Sequence, residues 1–246
     1  MLAPGRPLVS ALSSAVTALR LPSLCAICRG WGRDRVCAAC FARFAAPKPR
    51  CSRCALPVPA AVAVCGACLA RPPAFDSAAA CVDYRAPWDQ LVADFKFHGA
   101  LDLAPVFAAS ITAAATAISA ALPQLLIPIP LAAGRLRERG YNQAWELARR
   151  VARRLGLAAD AHLLLRLRET PHQLALPPEQ RAGNVRGAFA VEPRRRADIA
   201  GRHVALVDDV MTTASTAAEA SHALKQAGAA SVAIWVFART PPPGDD

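Results

Sequence analysis

Four Cys-x-x-Cys pairs stand within 44 residues near the start of this chain and limit the folds open to it more than any other pattern. They contain eight of the nine cysteines: Cys25, Cys28, Cys37, Cys40, Cys51, Cys54, Cys65 and Cys68. A Cys-x-x-Cys turn brings two thiolates to one metal ion, and two such turns complete a tetrahedral zinc site. Eight thiolates are enough for two closed structural zinc sites, so we expect a zinc-ribbon module with four cysteines at each site.

Other uses of these cysteines fit the pattern less well. Disulfides require an oxidising compartment, and a thioredoxin-like redox motif explains one Cys-x-x-Cys pair but not four. The connectivity stays open between two arrangements. Consecutive pairs, separated by eight and by ten residues, favour two short ribbons in series, with Pro47 and Pro49 between them. Alternate pairs would give cross-braced sites with longer loops.

The positive charge of the chain is concentrated in the same segment. The formal net charge is +11, of which residues 1–71 carry +9 and residues 72–246 only +2. Because each zinc centre with four thiolates is formally 2−, two centres lower the charge of the segment to about +5. Its arginines either contact nucleic-acid phosphates or donate to metal-bound sulfurs and solvent: Arg29, Arg33, Arg35, Arg43, Arg50 and Arg53.

Residues 1–20 precede the cysteine pairs. Val9, Leu12, Val16 and Leu19 fall at helical spacing and predict an amphipathic N-terminal helix. The alternative, a signal peptide, lacks a clear cleavage context. The weak case for a signal peptide and the presence of thiols that can bind metal both favour a cytoplasmic protein. No uninterrupted apolar run reaches the roughly 18 residues of a membrane span, so we expect none.

The remaining chain is predicted to form one α/β domain. We divide the sequence into an N-terminal helix (1–20), a double zinc ribbon (21–71), this domain (72–240) and a disordered tail (241–246). Apolar runs predict strands over 78–84, 125–129, 204–207 and 231–238, and helices over 87–97, 103–122, 139–155 and 215–226. Because strands alternate with helices, we expect a largely parallel sheet flanked by helices.

The sharpest chemical pattern follows the strand at 204–207. Two adjacent carboxylates, Asp208 and Asp209, end this strand, and a Thr/Ser-rich turn then opens into a helix. The turn comprises Thr212, Thr213, Ala214, Ser215 and Thr216. Its amides, its hydroxyls and the helix dipole form an anion pocket, and the carboxylates can accept hydrogen bonds from ribose hydroxyls. A sugar phosphate satisfies both halves, whereas helix capping explains only one or two of these residues.

This stretch resembles the phosphoribosyl-pyrophosphate (PRPP) signature of type I phosphoribosyltransferases. That signature has four apolar residues, two acids, an apolar residue, any residue, Thr, Ser or Thr, Gly, any residue and Thr. The chain departs from it at Ala214, where Gly is usual. Because a loop wrapped around a phosphate often needs Gly for close backbone approach, we expect weakened phosphate binding and leave turnover open.

Further motifs resemble the ComF family, also called competence protein F or GntX-like. They are Phe-Lys-Phe-His-Gly at 95–99, Pro-Ile-Pro-Leu at 128–131 with Arg-Gly-Tyr-Asn-Gln at 139–143, and Arg-x-Thr through Gly-Ala-Phe at 168–189. With the four cysteine pairs, the resemblance covers about residues 20–240. It implies a double zinc ribbon ahead of a type I phosphoribosyltransferase-like domain. It also implies DNA uptake during natural transformation, with single-stranded DNA and DNA-uptake proteins as partners.

The same resemblance assigns roles to residues. In phosphoribosyltransferases a nucleophile displaces Mg²⁺-bound pyrophosphate from PRPP, and the protein mainly positions groups and stabilises charge. Asp208 and Asp209 would hold the ribose diol, directly or through Mg²⁺, and residues 212–216 would cradle the 5′-phosphate. Candidates around the pyrophosphate and the flap are Arg135, Arg139, Asn142, Gln143, Arg168, Gln173 and Arg181.

Plainer roles compete with these. The arginines near residue 135 would otherwise form a solvated basic face, and Asn142 and Gln143 would be hydrogen bonders at a helix start. Three functions therefore stay open: a Mg²⁺-dependent phosphoribosyltransferase, a DNA-handling factor that uses the fold to bind phosphates, and a PRPP-sensing regulator without turnover. No pattern identifies the acceptor.

Overall fold

The computed structural model of the protein describes residues 22–118, 121–168 and 187–242. The predicted N-terminal helix and residues 243–246 of the predicted tail lie outside these residues. The cysteine-rich segment contains β1 (Ser23–Leu24), β2 (Trp31–Gly32), α1 (Ala38–Phe44) and α2 (Gly66–Ala70). Strands β1 and β2 pair antiparallel. Each helix begins directly after a cysteine, Cys37 for α1 and Cys65 for α2.

The body alternates strands with helices. Its strands are β3 (Ser77–Asp83), β4 (Leu125–Pro128), β5 (Ala158–Ala159), β6 (Leu164–Arg166), β7 (Phe189–Val191), β8 (His203–Met211) and β9 (Ser231–Arg239). Its helices are α3 (Trp88–Phe97), α4 (Ala104–Ile118), α5 (Ala133–Arg139), α6 (Gln143–Leu155) and α7 (Ser215–Gln226). Short 3₁₀ turns cover Leu101–Leu103 and Pro193–Asp198.

Five of these strands form one parallel sheet in the order β3-β9-β8-β4-β5. The predicted α/β fold with a parallel sheet is confirmed. Strands β6 and β7 form a separate antiparallel pair. In the central register, Asp208 lies opposite Val236 and Met211 lies opposite Arg239. The carboxyl ends of β3, β4, β8 and β9 therefore share one edge, where open α/β sheets bind their ligands.

The sheet is buried on both faces, which explains its nearly continuous apolar strands. Helices α4 and α6 cover one face, and α7 covers the other. Because side chains alternate along a strand, Val207 and Phe237 pack on the α4 side, while Leu206 and Ile234 pack on the α7 side. The two faces carry separate apolar cores.

A chain of aromatic rings joins the zinc-ribbon segment to the first of these cores. Phe41 of α1 contacts Trp88 with ring centroids 5.8 Å apart, and Trp88 contacts Phe237 at 5.4 Å. Phe237 in turn stacks on Phe107 at 3.9 Å. The indole Nε1 of Trp88 also donates a hydrogen bond of 2.8 Å to the carbonyl of Phe44. The N-terminal segment is thus packed into the body.

Helix α4 is long and strongly apolar. Within the described residues, Leu101–Ile118 is the one helical segment long and apolar enough to cross a membrane, by length and composition alone. The sequence analysis expected no membrane span because it counted only uninterrupted apolar runs, and this segment contains polar residues such as Asp102 and Ser110. Phe107 and Ile111 are fully buried in the core under the sheet. Its apolar face therefore serves the packing of the domain.

The structure corrects the helix predicted over 139–155. Two helices are present, because Gly140 adopts φ 79° and ends α5. Asn142 then caps α6, its side chain accepting hydrogen bonds from the amides of Ala144 and Trp145. The strand predicted at 204–207 is longer than expected. It continues to Met211 as β8, because β9 pairs with β8 from His203 to Met211. The helix α5 and the β6–β7 pair carry no periodic signal that sequence reasoning used.

Candidate functional site

The eight clustered cysteines form two groups of four. Ribbon one is Cys25, Cys28, Cys37 and Cys40, and ribbon two is Cys51, Cys54, Cys65 and Cys68; within each group all sulfurs lie within 4.8 Å of one another. Each group consists of two Cys-x-x-Cys pairs that follow one another in the sequence. The two ribbons are therefore arranged in series and are not cross-braced. All nine cysteines lie in the described part of the chain and all are free thiols.

The sulfur spacing fits zinc. Cys28 Sγ lies 3.8 Å from Cys37 Sγ, and Cys54 Sγ lies 3.7 Å from Cys65 Sγ. Four thiolates placed tetrahedrally about 2.3 Å from Zn²⁺ stand about 3.8 Å apart. These distances are far from the 2.05 Å or so of a disulfide. Both groups therefore present a closed set of soft ligands that suits a structural zinc ion.

Backbone amides prepare two of these thiols for metal. Cys37 N–H donates to Cys25 Sγ at 3.4 Å, and Cys65 N–H donates to Cys51 Sγ at 3.3 Å. Burial alone would raise the thiol pKa, but the amides of each turn outweigh it. They lower the pKa of Cys25 to about 6 and that of Cys51 to about 7. Thiolates, the form that binds metal, are thereby favoured.

A cavity of about 240 Å³ opens at the carboxyl edge of the sheet. The end of β8, the turn after it and the first residues of α7 form one wall. Opposite them lie residues from the end of α3, the loop after β4, and helices α5 and α6. Lining side chains named by the sequence analysis are Asp208, Asp209, Thr212, Ala214, Ser215, Thr216, Arg135, Arg139 and Gln143.

Lys96 pairs with one of the two adjacent carboxylates. Because neighbours on a strand point to opposite faces, Asp209 shares the face of Val207, toward α3. Its side chain is 1% exposed, and Lys96 Nζ lies 2.8 Å from its Oδ2. Although burial would raise the pKa of Asp209, the Lys96 ammonium holds it below the usual range. Burial would conversely lower the pKa of Lys96, but the two carboxylates raise it.

The adjacent carboxyl group behaves in the opposite way. Burial and the negative charge of Asp209 raise the pKa of Asp208 well above its ordinary value. Its Oδ1 accepts a hydrogen bond of 2.9 Å from the amide of Asp209. Oδ1 of Asp209, by contrast, receives no hydrogen bond from the described residues. The pair thus has acceptor capacity left for a ligand hydroxyl or for a hard cation such as Mg²⁺.

The 212–216 turn leads into α7 through a strained residue. Ala214 adopts φ 65° and ψ 2°, the left-handed region, directly before the first residue of the helix. A residue with a Cβ adopts this conformation at a cost of about 1–2 kcal/mol. The position therefore requires the backbone that Gly adopts freely, and the chain has kept that geometry with Ala.

Basic side chains from several elements face the carboxylates across the cavity. Arg135 and Arg139 come from α5, and Arg166 comes from β6. Arg139 donates to Gln143 Oε1 and lies over the Phe97 ring at 5.1 Å from its centroid. Burial and the positive charge of Arg135 lower the pKa of Arg166. A cavity with clustered cations beside an amide-rich turn suits a ligand with more than one phosphate.

The comparisons with known proteins agree with this architecture. Residues 142–244 match the model of a phosphoribosyl transferase domain, and residues 16–69 match that of a double zinc ribbon domain. DNA utilization protein YhgH of Salmonella typhimurium is 32% identical over 232 residues, covering 90% of this chain and 99% of that protein. Its namesake in Escherichia coli K12 is also 32% identical, over 229 residues, with the same coverage.

A further relative decides the family. Competence protein F of Haemophilus influenzae is 30% identical over 222 residues, covering 87% of this chain and 96% of that protein. The chain belongs to the ComF family. The resemblance inferred from the cysteine pairs and the motifs of the body is therefore confirmed.

Three candidate residues of this ComF-family chain lie apart from the residues that line the cavity. Asn142 uses its amide structurally, because its Oδ1 caps α6 and its Nδ2 donates to the carbonyl of Ile129 at 3.1 Å. Thr213 is exposed, with its hydroxyl 3.0 Å from that of Ser215. Arg168 is exposed beyond the end of β6. The candidates Gln173 and Arg181 lie outside the described residues.

Sequence reasoning left three cations out of the candidate site, the half-buried Lys96 and Arg166 and the buried Arg239. Lys96 gave two signals, the scarcity of lysine in this chain, which has only three, and its place in the Phe-Lys-Phe-His-Gly motif. Arg166 gave no such signal, since it ends a three-residue strand that is too short to show a periodic pattern of apolar residues. Arg239 looked like the last residue of a strand, yet its guanidinium is buried beside the 212–216 turn.

Proposed function

We propose that this ComF-family protein binds PRPP or a related sugar phosphate in the cavity at the carboxyl edge of its sheet. The observation that carries the proposal is the Lys96–Asp209 pair beside Asp208, at the mouth of an amide-rich turn. A buried, charged pair with spare acceptor atoms suits vicinal ribose hydroxyls or a bound cation. The turn suits a phosphate, since it leads into the N-terminus of α7, where the helix dipole favours anions.

The ligand would be held by groups from separate elements. Residues 212–216 would receive the 5′-phosphate, and Asp208 and Asp209 would accept hydrogen bonds from the ribose diol. Arg135, Arg139 and Arg166 would face the pyrophosphate. Further contacts to it would come from the flap candidates Arg168, Gln173 and Arg181. Bound Mg²⁺ would neutralise the pyrophosphate, and the two carboxylates are the oxygen ligands that the cavity offers. Asn142 and Gln143 would hold the loop after β4 and Arg139 in position.

We place this site in a protein that handles incoming DNA. Relatives named for DNA utilization and competence align along most of the chain, which supports this role. The zinc-ribbon segment (21–71) offers Trp31, whose side chain is 75% exposed, among exposed arginines that include Arg29 and Arg33. Exposed rings stack on unpaired bases and arginines contact phosphates. Single-stranded DNA and DNA-uptake proteins would be the partners, and free thiols suit the cytoplasm.

A phosphoribosyl transfer is the second candidate function, in the domain over 72–240. The specific observation is Asp208, whose pKa lies well above its ordinary value because of burial and the charge of Asp209. A carboxylate whose pKa is raised is a stronger base than an ordinary Asp, which suits it to accept a proton from an acceptor nucleophile. The third candidate, sensing of PRPP without turnover, needs the same binding site but no proton acceptor.

Calorimetric titration with PRPP and Mg²⁺ tests the binding proposal. We expect Asp208→Asn and Asp209→Asn to weaken PRPP binding at least tenfold. Glu138→Gln is the matched control, because Glu138 is an exposed acid on α5 outside the cavity, and its affinity should equal that of the wild type. Wild-type protein that binds no PRPP, or carboxylate variants that bind it equally well, would refute the proposal. Release of pyrophosphate with candidate acceptors then separates transfer from sensing.

A further inference from the structure

Arg239, the last residue of β9, joins two parts of the molecule that are distant in sequence. Its side chain is buried, with 5% of its surface exposed. Nε donates a hydrogen bond of 2.9 Å to the carbonyl of Cys54, a thiol of ribbon two. Nη1 donates to the carbonyl of Met211 at 2.9 Å and also to that of Thr212, which begins the 212–216 turn. A further bond of 2.8 Å runs from Nη1 to the carbonyl of Thr240.

These contacts make one guanidinium the shared donor of two loops. The carbonyl of Cys54 belongs to a Cys-x-x-Cys turn, whose shape depends on the sulfurs it presents. The carbonyls of Met211 and Thr212 belong to the backbone that leads into the turn. Because a guanidinium is planar and rigid, a shift of the Cys54 carbonyl changes the placement of Nη1. The two loops are therefore mechanically linked.

The charge of Arg239 links the same two parts. Among the described residues no carboxylate lies within ion-pair distance of Arg239, and burial of an unpaired charge is strongly unfavourable. Backbone carbonyls take the place of water around the guanidinium, and they come from Cys54 in ribbon two and from Met211, Thr212 and Thr240. Because a buried donor that loses its acceptor is left unsatisfied at a cost in free energy, the buried cation depends on both parts.

We propose that Arg239 is a positioning residue that couples ribbon two to the 212–216 turn. An intact ribbon two holds the guanidinium, and the guanidinium holds the backbone at Met211 and Thr212. Disruption of ribbon two loosens the turn, and ligand in the turn in return protects ribbon two, since coupling between sites is reciprocal. The second half of this statement rests on the proposed sugar-phosphate site, whereas the first half does not.

Hydrogen exchange of the full chain tests the first half without any ligand. In Arg239→Gln we expect the amides of residues 212–216 to exchange at least tenfold faster than in the wild type, with the interior of β8 unchanged. Arg239→Lys, which keeps the charge but not the planar fork, should restore part of the protection. Arg202→Gln is the matched control, because Arg202 is an exposed arginine. Unchanged exchange at 212–216 in Arg239→Gln would overturn the proposal.

A second pair of variants acts from the metal side. We expect Cys65→Ser, in ribbon two, to accelerate exchange at 212–216, and Cys28→Ser, in ribbon one, to leave it unchanged. This comparison also decides the matter where Arg239→Gln does not fold. Equal exchange at 212–216 in both cysteine variants would show that the turn does not depend on ribbon two.

Alkylation of Cys65 during a chelator challenge tests the reciprocal half. With PRPP and Mg²⁺ present, wild-type Cys65 should be alkylated at least threefold more slowly, while Cys28 keeps its rate. In Arg239→Gln the protection of Cys65 should disappear. Protection that persists in Arg239→Gln would contradict coupling through this residue. Wild-type protein that binds no PRPP but shows the exchange effects would instead remove the proposed function and keep the positioning role.

Discussion

The ammonium of Lys96 lies 2.8 Å from Oδ2 of Asp209, and the carboxylate of this pair is 1% exposed. Helix α3 thereby supplies the countercharge for a carboxylate that β8 buries at the edge of the cavity. An ion pair in such a place stabilises the fold only while both partners are present, because the buried carboxylate alone is left without water. Lys96 thus neutralises the charge of Asp209 before any ligand arrives.

We expect Lys96→Met to destabilise the protein by about 3 kcal/mol, because it leaves the Asp209 carboxylate buried and unpaired. Lys225→Met is the matched control. Lys225 forms a pair of 2.9 Å with Asp76, but both side chains are more than a third exposed, and pairs of that kind contribute at most about 1 kcal/mol. Urea unfolding at pH 7 measures both changes. Equal losses in the two variants would be inconsistent with a buried pair at Lys96.

The two carboxyl groups predict opposite dependences of stability on pH. The pKa of Asp209 is lowered, so its contribution is present above the ordinary Asp pKa of about 3.9 and is lost as the pH falls through its folded pKa. The pKa of Asp208 is raised, so the folded state holds a proton that the unfolded state releases. Stability from Asp208 is therefore full below about 3.9 and is lost as the pH rises through its folded pKa.

Asp208→Asn isolates the second of these effects, because Asn cannot lose a proton. Relative to the wild type, we expect this variant to gain stability as the pH rises from 4 to 8. Thermal unfolding across that range measures the gain, with Glu138→Gln as the control for removal of one acidic side chain. A difference between Asp208→Asn and wild type that stays constant with pH would show that Asp208 titrates normally.

Ala214→Gly should stabilise the protein by about 1 kcal/mol, because it removes the strain of a Cβ at φ 65°. Ala218→Gly is the opposite control. Ala218 lies inside α7, where Gly costs about 1 kcal/mol relative to Ala. Denaturant unfolding of the two variants should therefore shift in opposite directions. A loss of stability in Ala214→Gly would contradict strain at this position.

Metal analysis should find two zinc ions per chain. Cys28→Ser should reduce the content to one, because it removes a ligand from ribbon one and leaves ribbon two complete. Cys81→Ser should keep both ions, since Cys81 lies in β3 and belongs to neither group. Elemental analysis of purified, dialysed protein gives the counts. A wild-type content near one would show that one of the ribbons holds no zinc.

Trp31→Ala should weaken single-stranded DNA binding about tenfold, since one ring stacked on a base contributes about 1–3 kcal/mol. Leu69→Ala is the control, because Leu69 is also a highly exposed apolar side chain but has no aromatic ring. Fluorescence anisotropy at two salt concentrations measures affinity and its salt dependence. Equal binding by Trp31→Ala and wild type would place the DNA surface elsewhere.

Much of the zinc-ligand set and of the candidate site could be predicted from local sequence patterns. The cysteine pairs and their spacing identify all eight sulfurs, and the strand, acid pair and turn before α7 identify one wall of the cavity. Both are contiguous in the chain, so spacing alone brings their members together. The choice of ribbons in series over cross-braced sites needed the structure, because sequence spacing constrains the pairing only loosely.

Contacts between distant segments account for the rest. Lys96 reaches Asp209 only because α3 packs at the carboxyl edge of the sheet, and no local pattern encodes that approach. The motif predicts a ligand role for Asn142, yet Gly140 ends α5 and leaves Asn142 as a helix cap. Arg239 ends an ordinary strand and becomes a buried donor only when ribbon two packs beside it.

The aromatic chain from Phe41 through Trp88 to Phe237 gives ribbon one a share in the interior of the sheet domain. The zinc-ribbon segment and the sheet domain would each expose apolar side chains if they were separated at this contact. An engineer who wished to graft the sheet domain alone onto another polypeptide would have to redesign the face around Trp88. A homologue that lost its cysteines would need new side chains there before it could discard the segment.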